Sequence, residues 1–463
     1  MLSYDYDLLI VGAGSGGVRA ARLAGTLGKN VALIENDRVG GTCVNRGCVP
    51  KKLFVYASEY KDTFLQSQGF GWQFEAMPKF DWHHFMQAKN KELDRLQEIY
   101  KSNLSKANVK LFAAKATFLN ENEVELSTGE KLSAKHIIIG TGSFPNKPSD
   151  IIGVENCITS REGLFLEKQP RSIILSGGGY TAVEFANIFY GLGSEVTLVH
   201  RNDLFLRNFD FDLRKRLNDA MEKKGIKIYS NSNIEKVINI NGQKSVMLSN
   251  GAELVADEVM LCLGRKPNTI DLNLQKAGVD TGPYGQILVD EYLATSKKHI
   301  YAIGDVRGGL QLAPVAIEDA VCVIKTIYHN IKTKPDYENI ATAIFSQPEI
   351  AKVGLSETDA KSLYKSLDVY CIDFKPMKHT ISGSTDRIFM KMLVDGTTDY
   401  VVGVHLLGPS SAELIQIMAV AVKAKIKKAD FDKTIAVHPT AAEELVLSYI
   451  PSYSYYNGVR KDN

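Results

Sequence analysis

The chain has 463 residues, with 55 Lys and Arg against 53 Asp and Glu, and a net charge of +2 does not suit a general nucleic-acid binder. Its 44% hydrophobic and 23% charged residues are ordinary for a globular protein, which excludes disorder, collagen and coiled coil. The length suggests about three domains, and no apolar run reaches the ~18 residues that suggest a membrane span. A strand-like run, Leu8 to Val11, begins almost at once, so no signal peptide is expected and the cytoplasm is the default compartment. Six cysteines are too few for a secreted disulfide scaffold.

The first element, Asp7 to Glu35, reads as strand, helix, strand, with Gly12, Gly14 and Gly17 at the strand-to-helix turn. The first glycine permits the tight turn, the second lets backbone approach a pyrophosphate, and the third lets helix and strand pack closely. The pyrophosphate then meets the free N–H groups of the helix start. Glu35 follows Gly12 by 23 positions. An acid there bonds a ribose 2′-hydroxyl and repels a 2′-phosphate, which suits FAD or NAD.

Next comes GGTCVNRGCVPKK, in which Cys43 and Cys48 flank Gly47. Glycine lets the chain bend so that the sulfurs can meet. Pro50 suits the first turn of a helix. A helix start beside Lys51 and Lys52 favours thiolate. The pair reads as a redox disulfide, against two buried structural cysteines or half a zinc site. No CxxC partner pair exists elsewhere, which argues against zinc.

Ser172 to His200 repeats the first element at an offset of 165. Gly177, Gly179 and Ala182 fall on Gly12, Gly14 and Gly17. His200 takes the place of Glu35, and Arg201 and Arg207 follow it. Without the acid, and with two arginines, this site suits the 2′-phosphate of NADP; the alternative is a solvated surface. Further on, Ile300 to Ile303 reads as a strand ending in Gly304 and Asp305. Leu414 to Val422 reads as a buried helix and Lys423 to Lys428 as a solvated helix face. His438, with Glu443 five residues on, is a candidate acid for a leaving thiolate, its imidazole oriented by the carboxylate. Cys157, Cys262, Cys322 and Cys371 read as small buried apolar residues. The tyrosines at 449, 453, 455 and 456 suggest only packing on a dimer surface.

VGAGSGGVRAAR, GGTCVNRGCVPKK, GYTAVEFA, YAIGDV and HPTAAEELV together resemble the motifs of the pyridine nucleotide–disulfide oxidoreductases, in the same order and to about Leu447. Within that family the match is to the branch acting on glutathione disulfide. The resemblance implies an α/β protein with two Rossmann-like dinucleotide-binding domains plus a C-terminal α+β dimerisation domain. An FAD domain would span 1–142, an NADPH domain 143–267, a central domain completing the FAD site 268–338, and an interface domain 339–463. It implies a homodimer whose active site is shared, with His438 entering the other subunit, and no nucleic acid or membrane as partner.

The resemblance also assigns roles. Cys43 is the interchange thiol, which attacks oxidised glutathione. Cys48 is the charge-transfer thiol, His438 with Glu443 the proton donor, and Lys51 with Glu184 an ion pair beside the flavin. Ser15, Thr42, Thr141, Gly142 and Asp305 join Gly12, Gly14, Gly17 and Glu35 around FAD. Tyr180, Gly264 and Arg265 join Gly177, Gly179, Arg201 and Arg207 around NADPH, with Tyr180 as an aromatic gate. Ser15, Arg22 and Tyr100 line the substrate site. Arg19, one helical turn before Arg22, substitutes for the arginine that some members carry where this chain has Val321. No metal is implied. A trypanothione-type reductase is the nearest alternative. A redox-dead flavoprotein acting as a scaffold is the alternative of another class.

Overall fold

Three large sheets, with a small antiparallel one of Ile234–Ile240, Gln243–Leu248 and Glu253–Ala256 and a two-stranded ribbon, organise residues 4–462, the part that the computed structural model describes. The first has a parallel core. Val109–Ala113, Val31–Glu35, Tyr6–Val11 and Lys131–Ile139 lie side by side, and Ile300–Ala302 pairs with the far side of Lys131–Ile139. Leu8, Leu9, Ile10, Ile137, Ile138 and Ile139 are fully buried. Such unbroken apolar runs belong to parallel strands covered on both faces. Helix Ser15–Thr26 lies between the first two strands in sequence and packs against helix Ala313–Tyr328.

The second sheet repeats this arrangement. Lys227–Tyr229, Glu195–Val199, Ser172–Ser176, Glu258–Leu261 and Ile158–Thr159 are all parallel, with helix Tyr180–Gly191 in the equivalent crossover. The two units are joined by a two-stranded ribbon of Ser143–Pro145 with Arg265–Pro267. The third sheet has seven antiparallel strands, from Thr342–Ile344 to Val459–Asp462. No described helix is long and apolar enough to cross a membrane.

Four sequence expectations need correction. Leu414 to Val422 does lie in a helix, Ser411–Lys423, but only one side is buried. Ile415 and Val422 point inward, while Ile417 is 64% and Val420 63% exposed. The stretch is apolar around its circumference, and the sheet covers one side. Lys423 to Lys428 is a junction rather than a helix face. The first helix stops at Lys423, Lys425 turns at φ +55°, and Lys428 starts a new helix with its buried ammonium on Asp432. Half of the tyrosine tail packs on its own subunit: Tyr453–Tyr456 pairs with Ser366–Phe374, and Tyr449 and Tyr456 are exposed, while Tyr453 and Tyr455 are buried. Alternation along a strand turns those two inward together. Cys157 and Cys322 are buried as expected, whereas Cys262 and Cys371 are only partly so.

Candidate active site

Both glycine-rich turns lie at the carboxyl ends of their parallel strands, where doubly wound sheets bind ligands. Gly12 has φ +104°, and a Cβ there would lie 2.4 Å from the Gly140 carbonyl oxygen. At Gly17 a Cβ would fall 1.9 Å from the Gly12 oxygen, so close packing of helix on strand needs glycine. Gly14 and Gly179 differ from these. A Cβ on either would meet no protein atom within 4 Å. The space beside each is open at a helix N-terminus, which suits a pyrophosphate.

Beyond the first turn, Glu35 accepts the Ala13 amide at 2.8 Å and the Asp37 amide at 3.0 Å, which fixes its carboxylate at the strand end. Burial raises its pKa, and these amides oppose that shift. His200, in the equivalent position, is 2% exposed. Burial lowers its pKa and so favours the neutral ring, leaving no negative charge to repel a 2′-phosphate. Arg201 and Arg207 are exposed at the cavity wall, without a carboxylate partner among the described residues.

Asp305 accepts the Ser143 hydroxyl at 2.6 Å, and Arg265 bonds the same hydroxyl at 2.7 Å. The Gly304–Asp305 turn is held from below by Asp319, which is fully buried. It accepts the Gly304 amide at 2.9 Å, the Arg307 guanidinium at 2.8 Å and the Tyr337 hydroxyl.

The cysteines sit where helix Gly41–Arg46 breaks at Gly47 and helix Cys48–Ser67 begins. Buried Asn45 ties this loop down, donating to the Val39 and Gly41 carbonyls at 3.0 Å and accepting from Gln97 at 2.6 Å. The two sulfurs are free thiols within hydrogen-bond reach of each other. They titrate in opposite directions. The hydrogen bond from Cys43 and the charge of Lys51 bring Cys48 down to about 7 against the pull of burial. The same hydrogen bond, burial and the negative charge on Cys48 push Cys43 up, although Ser15 bonds it and eases the shift. Lys51 Nζ meets Glu184 Oε1 at 2.7 Å and stands 4.2 Å from the Phe345 ring centre. Phe345 donates its amide to the same Glu184 oxygen at 3.1 Å.

A connected cavity of ≈ 2270 Å³ brings these groups together. Most of the expected cofactor and redox residues line it: Gly12, Gly14, Ser15, Gly17, Glu35, Thr42, Cys43, Cys48, Lys51, Thr141, Gly142, Gly177, Gly179, Tyr180, Glu184, Arg201, Arg207, Gly264, Arg265 and Asp305. A single small-molecule site occupies roughly 300–1,000 Å³, so there is room for two dinucleotides. Arg19, Arg22 and Tyr100 do not line it. Tyr100 nevertheless lies near enough to Cys43 and Arg22 to interact with both, beneath a larger rise of its pKa from burial. His438 also lies outside the cavity. Its Nδ1 is 3.0 Å from Glu443 Oε2, and its side chain is 80% exposed. The supporting residues Asn45, Gln97, Asp319 and Phe345 do not emerge from the sequence. Only Asn45, inside the cysteine motif, carries a local signal.

Two dinucleotide cradles opening on one dithiol define a pyridine-nucleotide-linked thiol–disulfide oxidoreductase. Residues 6–320 match the pyridine nucleotide-disulphide oxidoreductase family, and residues 340–449 match its dimerisation domain. The chain belongs to that family. It is 44% identical to the glutathione reductase of Burkholderia cepacia, over 96% of this chain and 99% of the relative. It is also 44% identical to the chloroplastic/mitochondrial glutathione reductase of Pisum sativum, over 97% of this chain and 83% of the relative. Identity to the trypanothione reductase of Trypanosoma congolense is 40%, over 100% and 99%. The cofactors are FAD and NADPH. The residues present fit both: each open glycine faces space for a pyrophosphate, and the ribose-end residues differ as the two nucleotides require.

Proposed function

We propose that this protein reduces glutathione disulfide to two glutathione molecules at the expense of NADPH. The observation that carries the reading is the Cys43–Cys48 dithiol in the cavity shared by both cradles. FAD, when bound, carries the two electrons of NADPH to the Cys43–Cys48 disulfide. The chain's own residues do the rest. Cys43 is held as a thiol, so it needs a base before it can attack. His438 of a second copy, oriented by Glu443, takes that proton. The Cys43 sulfur then forms a bond to one glutathione sulfur, and the disulfide of the substrate breaks. His438 returns the proton to the departing thiolate. The Cys48 thiolate next attacks the Cys43 sulfur, restoring the protein disulfide and releasing the second glutathione. On this reading the protein is a cytoplasmic homodimer. The matched dimerisation domain and the exposed Ile417 and Val420 support a partnered surface.

The identity to trypanothione reductases supports a second substrate reading. Exposed Arg19 and Arg22 favour the first, because glutathione disulfide carries carboxylates and a trypanothione-type substrate is cationic. Anaerobic titration of the holoenzyme tests both. NADPH is added first, then glutathione disulfide, with NADH and trypanothione disulfide in parallel. Reoxidation by glutathione disulfide after NADPH is the expected result. Reoxidation by trypanothione disulfide alone would move the substrate, and no response to NADPH would end the reading.

A further inference from the structure

The loop that carries Arg201 and Arg207 is braced from outside its own sheet. Leu206, next to Arg207, sits at φ +56°, a left-handed conformation rare for leucine. Such a residue persists where its surroundings over-determine it, and here they do. The Leu206 amide bonds the Gly178 carbonyl at 2.7 Å. Arg214 holds the carbonyls of Phe205 and Leu204, each at 2.7 Å.

Two lysines of the C-terminal sheet complete the brace. Lys352 donates to the Asn208 carbonyl. Lys391, 1% exposed, meets Asp210 at 2.7 Å, Asp212 at 2.6 Å and Glu357 at 2.5 Å. Asp210 caps helix Phe211–Lys224, so the end of the loop is fixed to the sheet by the buried Lys391–Asp210 pair, with Asp212 at its exposed edge. Glu357 is held in turn by Tyr453 at 2.9 Å and Tyr455 at 2.8 Å, both from the tyrosine tail.

We infer that Lys391, with Lys352 and the tyrosine tail behind Glu357, positions Arg207 for recognition of the nucleotide's 2′-phosphate. This rests on the reading of Arg201 and Arg207 as the groups that bind that phosphate. A buried charge cluster is a poor source of stability, because desolvation offsets much of the attraction. Fixing the relative placement of two units is what it does here. Lys352 lines the nucleotide cavity itself, whereas Lys391, Glu357 and the tyrosines lie outside it, so the buried part of the C-terminal sheet sets nucleotide preference from behind the loop, and the tail acquires a role that sequence alone did not supply.

The test compares Kd values of NADP⁺ and NAD⁺, which differ only in the 2′-phosphate, by calorimetry on the oxidised holoenzyme. Lys391→Met should weaken NADP⁺ about tenfold while changing NAD⁺ less than about twofold, the partial loss of charge-assisted hydrogen bonds. Equal weakening of both, or no change in either, overturns the inference. Should Lys391→Met fail to fold, Tyr453→Phe combined with Tyr455→Phe, which removes both hydroxyls behind Glu357 outside the cavity, serves for the same comparison, with the same outcomes supporting or overturning the inference. An Arg201→Ala/Arg207→Ala variant run alongside separates the two layers. If it weakens both nucleotides equally, the phosphate reading fails and the inference with it. If it discriminates and the other variants do not, only the positioning role fails.

Discussion

Lys51 and Glu184 form a 2.7 Å ion pair between helices 133 residues apart in sequence, one from each dinucleotide unit. Glu184 is 3% exposed, so removing its partner strands a buried carboxylate. Lys51→Met should therefore destabilise the protein by about 3–5 kcal/mol. It should also raise the Cys48 pKa, because Lys51 favours the thiolate. Denaturant unfolding and the pH profile of alkylation check the two effects, and an unchanged profile would sink the second.

The profile of the parent protein has a definite sign. Cys48 lies at about 7, below the ordinary thiol value, so its thiolate persists above that pH and is lost as pH falls through it. Alkylation of the dithiol protein by iodoacetamide should rise with a midpoint near 7. Cys48→Ser should abolish that phase, since Cys43, though freed of the hydrogen bond and charge of Cys48, keeps the burial that raises its pKa. A midpoint near that of free cysteine would contradict the pairing.

Arg201 and Arg207 give the nucleotide prediction. A charge-assisted hydrogen bond contributes roughly 1.5–3 kcal/mol. Replacing both arginines by alanine should cost NADPH about a hundredfold or more in kcat/KM and NADH far less. Equal losses would remove them from 2′-phosphate recognition.

Arg19 faces solvent on helix Ser15–Thr26, which packs on the helix carrying Val321. Arg19→Glu should raise the KM for glutathione disulfide and leave reduction by NADPH unchanged. An unchanged KM means that Arg19 does not meet the substrate.

His438 stands exposed, outside the cavity that holds the cysteines. If a second copy supplies it, Cys43→Ser and His438→Ala chains should each be inactive as homodimers. Co-expressed in equal amounts they should recover about a quarter of the activity, from the one intact site in each heterodimer. No recovery in verified heterodimers would count against a shared site.

Much of this was legible in the sequence because it is local. The glycine turns, Glu35, the cysteine pair and His438 with Glu443 each lie within a short segment whose spacing carries its meaning. Lys391 was not legible. Its partner Asp210 is 181 positions away, and an isolated lysine in a strand of apolar residues gives no sign of an ion cluster. Asp319 was silent for the same reason, since its partners Gly304 and Tyr337 come from either side of a long helix. Leu414 to Val422 misled because hydrophobicity records that a face is dry when partnered, and does not name the partner.

The strand Ile300–Ala302 joins a sheet whose other parallel members end by Ile139. In synthesis from the N-terminus, all five strands of the second unit exist once Leu261 is made, while the first sheet still lacks its edge and Asp305. The order of completion is therefore the reverse of the order in which the two units begin: the later-encoded parallel sheet is finished first, although the lysines that brace its Arg207 loop come later still. A chain halted anywhere between Leu261 and Ile300 has every residue of one cradle's sheet and an unclosed flank on the other, a state in which the flavin site waits on the ribosome.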